Sequence, residues 1–346
     1  MDFLENKIEE EIQNGVIPGM SYAIIDNDQL YLGAHGFKDL IPEKTPINND
    51  TLYDLASLTK VVVTVPLILK TIEKGNLRFA DKVKDYLPRF KYDDVSIYDL
   101  LTHSSGLPAD TNSKKIVTRD EIMDEIYNMD KIYDTKSYIM YSDIGYILLG
   151  EIISTIYGKP LDIVAREELF EPLEMFDTTY NPSDKEKCAP TEVTLERGII
   201  KGVVHDEKAS SLGGVAGHAG AFSTAGDLSK YISMILNKGE YKGKRILGEE
   251  MVNMLFTKLV YDKSCDWDRS FSFIVGNNDI VIMEGEDIIS FNGFTGPSIS
   301  IDRENNLGIA LMTNRVHPTR DNRKISRERP VISHEIYEEL VRTKRK

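Results

Sequence analysis

Leu55-Ala56-Ser57-Leu58-Thr59-Lys60 runs directly into Val61-Val62-Val63-Thr64-Val65-Pro66-Leu67-Ile68-Leu69, and the organisation of the chain follows from how this stretch is read. Ser57 and Lys60 are three residues apart, so a helix opening at Ser57 stacks their side chains on one face, one turn apart. The residues that follow are apolar almost all round, which predicts a central, buried helix ending near Gly75. A serine hydroxyl needs a neighbouring base to act as a nucleophile at neutral pH. A lysine kept out of water can lose its proton and serve as that base. The same pair also fits a plain N-cap serine and a solvated first-turn lysine, so alone it is a weak signal.

The 346-residue chain exceeds the size at which one core stops growing, which predicts two lobes. Its formal net charge of −14 argues against a nucleic-acid partner and against an anionic membrane surface. No run of about twenty apolar residues occurs, so no membrane span is expected. Cys188 and Cys265 lie far apart and follow no metal-ligand spacing; free thiols in a reducing compartment are expected. The start, Met1 to Ile12, is acidic and amphipathic, without a basic segment followed by an apolar run. That predicts a cytoplasmic protein.

Phe3, Leu4, Ile8 and Ile12 predict a first helix over 2–14. Met20–Ile25 and Gln29–His35 around Asp26-Asn27-Asp28 predict a hairpin. From Asp81 to about Asn181 the pattern is mainly helical, with helices over 119–129, 143–157 and Leu161–Leu173. Residues 181–222 read as irregular, followed by helices over Asp227–Asn237 and Glu249–Phe256. Strands are predicted at Phe271–Val275, Ile280–Met283, Ile288–Phe291, Ser298–Ile301 and Ile309–Thr313, with turns such as Glu284-Gly285 between them, then a last helix over 328–343. A lone hairpin is not a stable sheet. The expected fold is therefore α+β: one antiparallel sheet joining the hairpin to the C-terminal strands, flanked by helices 2–14 and 328–343 on one face, with a second, mainly helical lobe. The boundaries are 1–80 plus 260–346 for the sheet lobe and 81–259 for the helical lobe, with the site at their interface.

Two more stretches carry candidate chemistry. In Tyr141-Ser142-Asp143 the phenol can shuttle a proton beside an ammonium, although on its own the stretch reads more simply as a half-buried core tyrosine and an Asp143 helix cap. In Phe291-Asn292-Gly293-Phe294-Thr295-Gly296, Gly293 lets a substrate approach a strand edge, and the amides of Phe294 and Ser57 would serve as oxyanion donors; a glycine bulge is the plainer reading. His205-Asp206 and His218 flank the irregular loop, a weak metal signal, and neither metal nor cofactor is expected.

Taken together, Ser57-x-x-Lys60, Tyr141-x-Asp143 and a late strand motif resemble the serine β-lactamase and penicillin-binding protein superfamily, in its class C β-lactamase-like group of esterases, D-amino peptidases and muropeptide amidases. Leu100-Leu101-Thr102-His103-Ser104-Ser105-Gly106-Leu107-Pro108 and Gly220-Ala221-Phe222-Ser223-Thr224-Ala225-Gly226-Asp227-Leu228 are similar to that group too, and the likeness runs from about 15 to 322. The resemblance implies acyl transfer through a covalent acyl-enzyme: Ser57 attacks, Lys60 and Tyr141 manage protons, and Asn292, Gly293 and Phe294 line the oxyanion and substrate side. Two positions depart from the pattern. Phe291 and Asn292 stand where the group usually has Lys or His followed by a hydroxyl residue, and Asp143 stands where Asn is commoner. The first weakens the case for penicillin-type substrates; the second favours a charged Lys60 unless Asp143 turns away. His218 or His205 is the candidate replacement for the missing cation.

The expected function is a serine hydrolase acting on a small-molecule or peptide-like ester or amide, a cell-wall peptide fragment among the candidates. A β-lactamase or D-Ala carboxypeptidase is the alternative within enzymes, and a weakly catalytic ligand-binding protein is the alternative outside them.

Overall fold

The computed structural model describes residues 2–27, 29–111, 117–278, 283 and 287–342. Chain ends meet in an antiparallel sheet whose described strands run Val260–Asp262, Trp267–Arg269, Ile274–Val275, Ile288–Asn292, Ser298–Asp302, Leu307–Met312, Gly19–Asp26, Gln29–Asp39 and Thr45–Pro46. Gly19–Asp26 is the junction: Ala23 pairs with Leu32 inside the hairpin and with Ala310 from the C-terminal third.

Strand alternation sorts the side chains onto two cores. Tyr22, Ile24, Ile309 and Leu311 pack with Leu4 and Ile8 of helix Asp2–Gln13 and with Ile332 and Ile336 of helix Ile325–Tyr337. Ala23, Ile25, Ala310 and Met312 face the other way, into a core shared with helix Ala225–Leu236, the Ser57 helix and the helical middle of the chain. The fold is thus the expected α+β arrangement, with the two terminal helices on one sheet face.

The expected helices over 119–129 and 143–157 are present as Arg119–Asn128 and Asp143–Tyr157. Leu161–Leu173 is a helix over Leu161–Ala165 continued by a wider π turn at Arg166–Phe170. The last helix starts earlier than expected, at Ile325, and ends in a wide turn at Glu338–Arg342; Thr343 lies outside the described residues. The Phe271–Val275 run is shortened to Ile274–Val275, because Ser272 takes a left-handed φ of 66° that breaks the strand. Two strands the pattern did not signal, Val260–Asp262 and Trp267–Arg269, form around a turn at Asp266. Of the expected strand Ile280–Met283 only the buried Met283 lies within the described residues; the Glu284-Gly285 turn lies outside them. The stretch 181–222 is less irregular than expected: it holds a short hairpin, Val193–Thr194 with Gly198–Ile199, and a helical turn, Glu207–Ser211.

Candidate active site

The Ser57 turn is held from several sides. Asp54 ends a short strand and is buried; its Oδ1 accepts the Ala56 N–H at 2.8 Å and its Oδ2 the His205 N–H at 2.7 Å. Ala56 takes a left-handed φ of 45°, a strained bend immediately before the serine. The Lys60 N–H then bonds the Ser57 carbonyl at 3.0 Å and the helix begins.

Its first turn is π, over Lys60–Thr64, with the Val65 N–H reaching back to the Lys60 carbonyl. Pro66 explains the widening: it has no N–H to offer the Val61 or Val62 carbonyl. The Val61 carbonyl is taken instead by the Tyr231 hydroxyl, at 2.6 Å.

Lys60 is fully buried. Its Nζ lies 3.0 Å from Ser57 Oγ, 2.8 Å from Asp143 Oδ1 and 3.3 Å from the His218 carbonyl oxygen. The Tyr141 ring centroid is 4.8 Å from the same nitrogen, and the Tyr146 ring 5.9 Å. Burial works to lower the Lys60 pKa, but the Asp143 carboxylate, and then the neighbouring Tyr141, leave it raised. Asp143 does not turn away from Lys60.

The reason lies in the capping. Ser142, not Asp143, caps helix Asp143–Tyr157: its Oγ accepts the Gly145 N–H, and the Asp143 carboxylate is left to face Lys60. The Ser142 N–H in turn donates to His103 Nδ1 at 3.1 Å, so His103 carries its proton on Nε2, 2.6 Å from Ser272 Oγ. His103 is buried in the loop after Leu100-Leu101, with its ring 4.7 Å from that of Tyr141. Burial, then the Arg269 and Lys60 charges, pushes its pKa well below the ordinary value.

On the other side of Ser57 the strand Ile288–Asn292 ends at Gly293. A Cβ at Gly293 would sit 2.3 Å from the Leu55 carbonyl oxygen, so only glycine allows this strand end to lie against the serine turn. Thr295 Oγ1 donates to the Asp54 carbonyl at 2.7 Å, pinning the two segments together. Among the described residues, nothing accepts a hydrogen bond from the N–H of Ser57 or of Phe294. The Phe294 ring is half exposed and lies between the His205 ring, at 5.6 Å, and the Arg315 guanidinium, at 4.5 Å. The Asn292 backbone pairs with Ser298.

Each of the two histidines offered as replacement cations is engaged by a carboxylate. His205 directs Nε2 at Glu192 Oε2, 3.0 Å away, and His218 directs Nε2 at Asp206 Oδ1, 2.8 Å away. Phe291 is buried with its ring 6.3 Å from that of Tyr141. The cation that approaches Tyr141 from this side is the buried Arg269, whose Cζ is 6.0 Å from the ring centroid; its guanidinium is engaged by Asp262 at 2.9 Å. A second unanticipated cation, Lys208, sits 3.4 Å from Asp143 Oδ2 and 3.2 Å from Asp206 Oδ2. Burial would raise the Asp206 pKa, but His218 and Lys208 hold it well below the usual carboxylate range. One ligand atom each from Asp143, Asp206 and His218 lies within 4.8 Å of the others, a spacing a metal ion could use. Two ammonium groups, Lys60 and Lys208, already lie against these carboxylates, so the donor set is built as an ion-pair network and does not fit a resident metal. Arg269, Lys208 and His103 were not singled out from the sequence because their roles depend on partners brought in from other segments.

Comparison with known proteins matches residues 4–331 to the family described as Beta-lactamase. The chain belongs to the Beta-lactamase family. It is 30% identical to an N-acetylmuramyl-L-alanine amidase of Bacillus subtilis (strain 168), over 90% of this chain and 81% of that protein. It is also 30% identical to a putative D-alanyl-D-alanine carboxypeptidase of Escherichia coli (strain K12), over 93% of this chain and 84% of that one. In fold it is similar to a class C beta-lactamase structure, with a TM-score of 0.77, 20% identity, and coverage of 96% of this chain and 95% of the other. This family member is therefore a hydrolase of the β-lactamase superfamily, with an antiparallel sheet flanked by helices. No helix among its described residues is long and apolar enough to cross a membrane.

Proposed function

We propose that the protein is a serine hydrolase that cleaves an ester or amide through an acyl-enzyme on Ser57. The observation that carries the reading is the 3.0 Å contact between Ser57 Oγ and the buried Lys60 Nζ. In its neutral form Lys60 takes the Ser57 proton as Oγ bonds to the substrate carbonyl carbon. The unengaged N–H groups of Ser57 and Phe294 are the donors for the oxyanion. As the bond from the carbonyl carbon to the leaving group breaks, Tyr141 gives its phenol proton to the departing alkoxide or amine and is reprotonated by Lys60, beside it; water then attacks the Ser57 ester, gives a proton back to Ser57 Oγ, and releases the acid.

We favour a neutral acyl group over a penicillin-type substrate. Phe291 offers no charge to a substrate carboxylate, and Arg269, the other group near the Tyr141 ring, is committed to Asp262. An amide of a cell-wall peptide fragment agrees with the activity named for the Bacillus subtilis relative. The carboxypeptidase named for the Escherichia coli relative supports a second reading, cleavage after a D-alanine. The two unpaired cysteines agree with action in a reducing, cytoplasmic compartment.

The test is turnover of a panel: an activated ester, a muramyl peptide amide, a D-Ala-D-Ala peptide and benzylpenicillin. Hydrolysis of the ester and the muramyl amide, with penicillin neither hydrolysed nor bound covalently, is the expected result. Penicillin turned over faster than the others contradicts the substrate assignment.

A further inference from the structure

The contacts around Lys60 close into a ring. Asp143 bridges Lys60, 2.8 Å from Oδ1, and Lys208, 3.4 Å from Oδ2. Lys208 meets Asp206 at 3.2 Å, Asp206 meets His218 at 2.8 Å, and the His218 carbonyl returns to Lys60 at 3.3 Å. Lys208 also pairs with Asp110 at 3.0 Å. We propose that Lys208 is a positioning residue of the Ser57 site, which keeps the Asp143 carboxylate paired while Lys60 is without its proton.

The inference rests on the serine hydrolase reading and addresses a difficulty in it. Lys60 must first release a proton to water, and its free lone pair then accepts the proton of the Ser57 hydroxyl as the Oγ–carbon bond forms. Between those two events Lys60 is neutral. Asp143 has two ammonium partners, Lys60 and Lys208, and the His218 imidazole, itself paired with Asp206, within 4.8 Å; without Lys208, loss of the Lys60 proton would leave no ammonium against Asp143 in a largely buried site, and that cost would keep Lys60 charged. The second carboxylate oxygen lies against Lys208, so the pairing survives the proton's departure. The Lys208 charge also acts on Lys60 directly, since like charges disfavour the ammonium form.

Lys208 is itself fixed. It lies on the turn Glu207–Ser211, which Asp206 caps by accepting the Ala209 N–H at 2.8 Å. It is buried and makes no described contact with Ser57, which separates it from a substrate-binding lysine. The groups facing Lys60 are Ser57, Tyr141, Tyr146, Asp143 and the His218 carbonyl, with His103 and Arg269 behind the tyrosine. Those facing Lys208 are Asp110, Asp143 and Asp206. Removing Lys208 therefore changes the surroundings of Lys60 through Asp143, through Asp206 and His218 on the other arm of the ring, and through space, and leaves the Ser57, Tyr141 and Tyr146 contacts in place.

The experiment is the pH profile of kcat/KM for an activated phenyl ester on the full chain, from about pH 7 to about pH 12, a window that spans the raised Lys60 titration and its plateau. Wild type, K208M, K208Q and K208R are compared, with S57A as the blank and thermal unfolding recorded for each. Either charge-free variant suffices if it folds. The expected result is an acidic limb displaced upward by about one pH unit, thus about tenfold slower at neutral pH, with an alkaline plateau within about threefold of wild type. K208R restores the limb. A folded K208M or K208Q with an undisplaced limb, or one slowed equally at every pH, overturns the role given to Lys208 and leaves the serine hydrolase reading standing. Wild-type activity that survives S57A overturns both.

Discussion

At the scale of single residues, glycine and charge decide what the site can do. Gly293→Ala places a methyl group 2.3 Å from the Leu55 carbonyl oxygen, so the strand end must retreat from Ser57. Displacing one oxyanion donor by about 1 Å is expected to lower kcat by roughly 100-fold; steady-state kinetics on the folded variant checks it, and unchanged kcat would remove the Phe294 amide from the mechanism. Because burial is outweighed by Asp143 and Tyr141, the Lys60 pKa lies above its ordinary value. Only the neutral amine accepts a proton, so the rate of ester cleavage should climb with pH above neutrality. A bell with its maximum below about pH 7 would contradict a lysine base. Ser57, Lys60, Tyr141 and Asp143 were legible in the sequence because short spacings put each pair on one local structure. Lys208 and Arg269 were not, since a lone basic residue has no local pattern that announces a buried partner.

At the scale of elements, the helix behind the nucleophile and the loop behind Tyr141 carry the strain and the pH sensitivity. Tyr231→Phe takes the donor from the Val61 carbonyl, which Pro66 cannot replace. A buried carbonyl left without a donor costs about 1–3 kcal/mol, measurable by chemical denaturation. His103 is neutral and buried between the Ser142 N–H and Ser272. Its folded pKa is depressed, so the unfolded chain binds a proton first as pH falls. Stability from this group is complete above about pH 6.5 and declines below it. His103→Gln, which keeps a donor and an acceptor, should flatten the fall of Tm between about pH 6.5 and about pH 5; an unaltered slope would show that His103 is protonated in the fold. The helices and the central strands were readable from periodicity. The π turn, the left-handed Ala56 and the cap supplied by Ser142 instead of Asp143 were not, because each follows from tertiary hydrogen bonds that override local preference.

At the scale of the whole molecule, the sheet separates two cores, and only one adjoins the site. Ile336 packs with the terminal helices on the far face. Ile336→Ala should cost about 2–5 kcal/mol of stability, yet leave kcat of the folded protein within about twofold. A large loss of kcat at full folding would mean that the far face also shapes the site. We retain as a proposal the division into a sheet lobe, 1–80 plus 260–346, and a helical lobe, 81–259. Helix Ala225–Leu236 lies in the core that the sheet shares with the helical middle of the chain. The joining of chain ends in one sheet was foreseeable, because a lone hairpin must find partner strands. The weak strands at 260–269 were hidden by their polar, short sequences.

One measurement bears on all of this most directly: intact mass and peptide mapping after exposure to a fluorophosphonate and to a slowly hydrolysed activated ester. The account predicts a single adduct on Ser57, absent in S57A and strongly slowed in Lys60→Met. No adduct on folded wild-type protein, or an adduct elsewhere that persists in S57A, would contradict it.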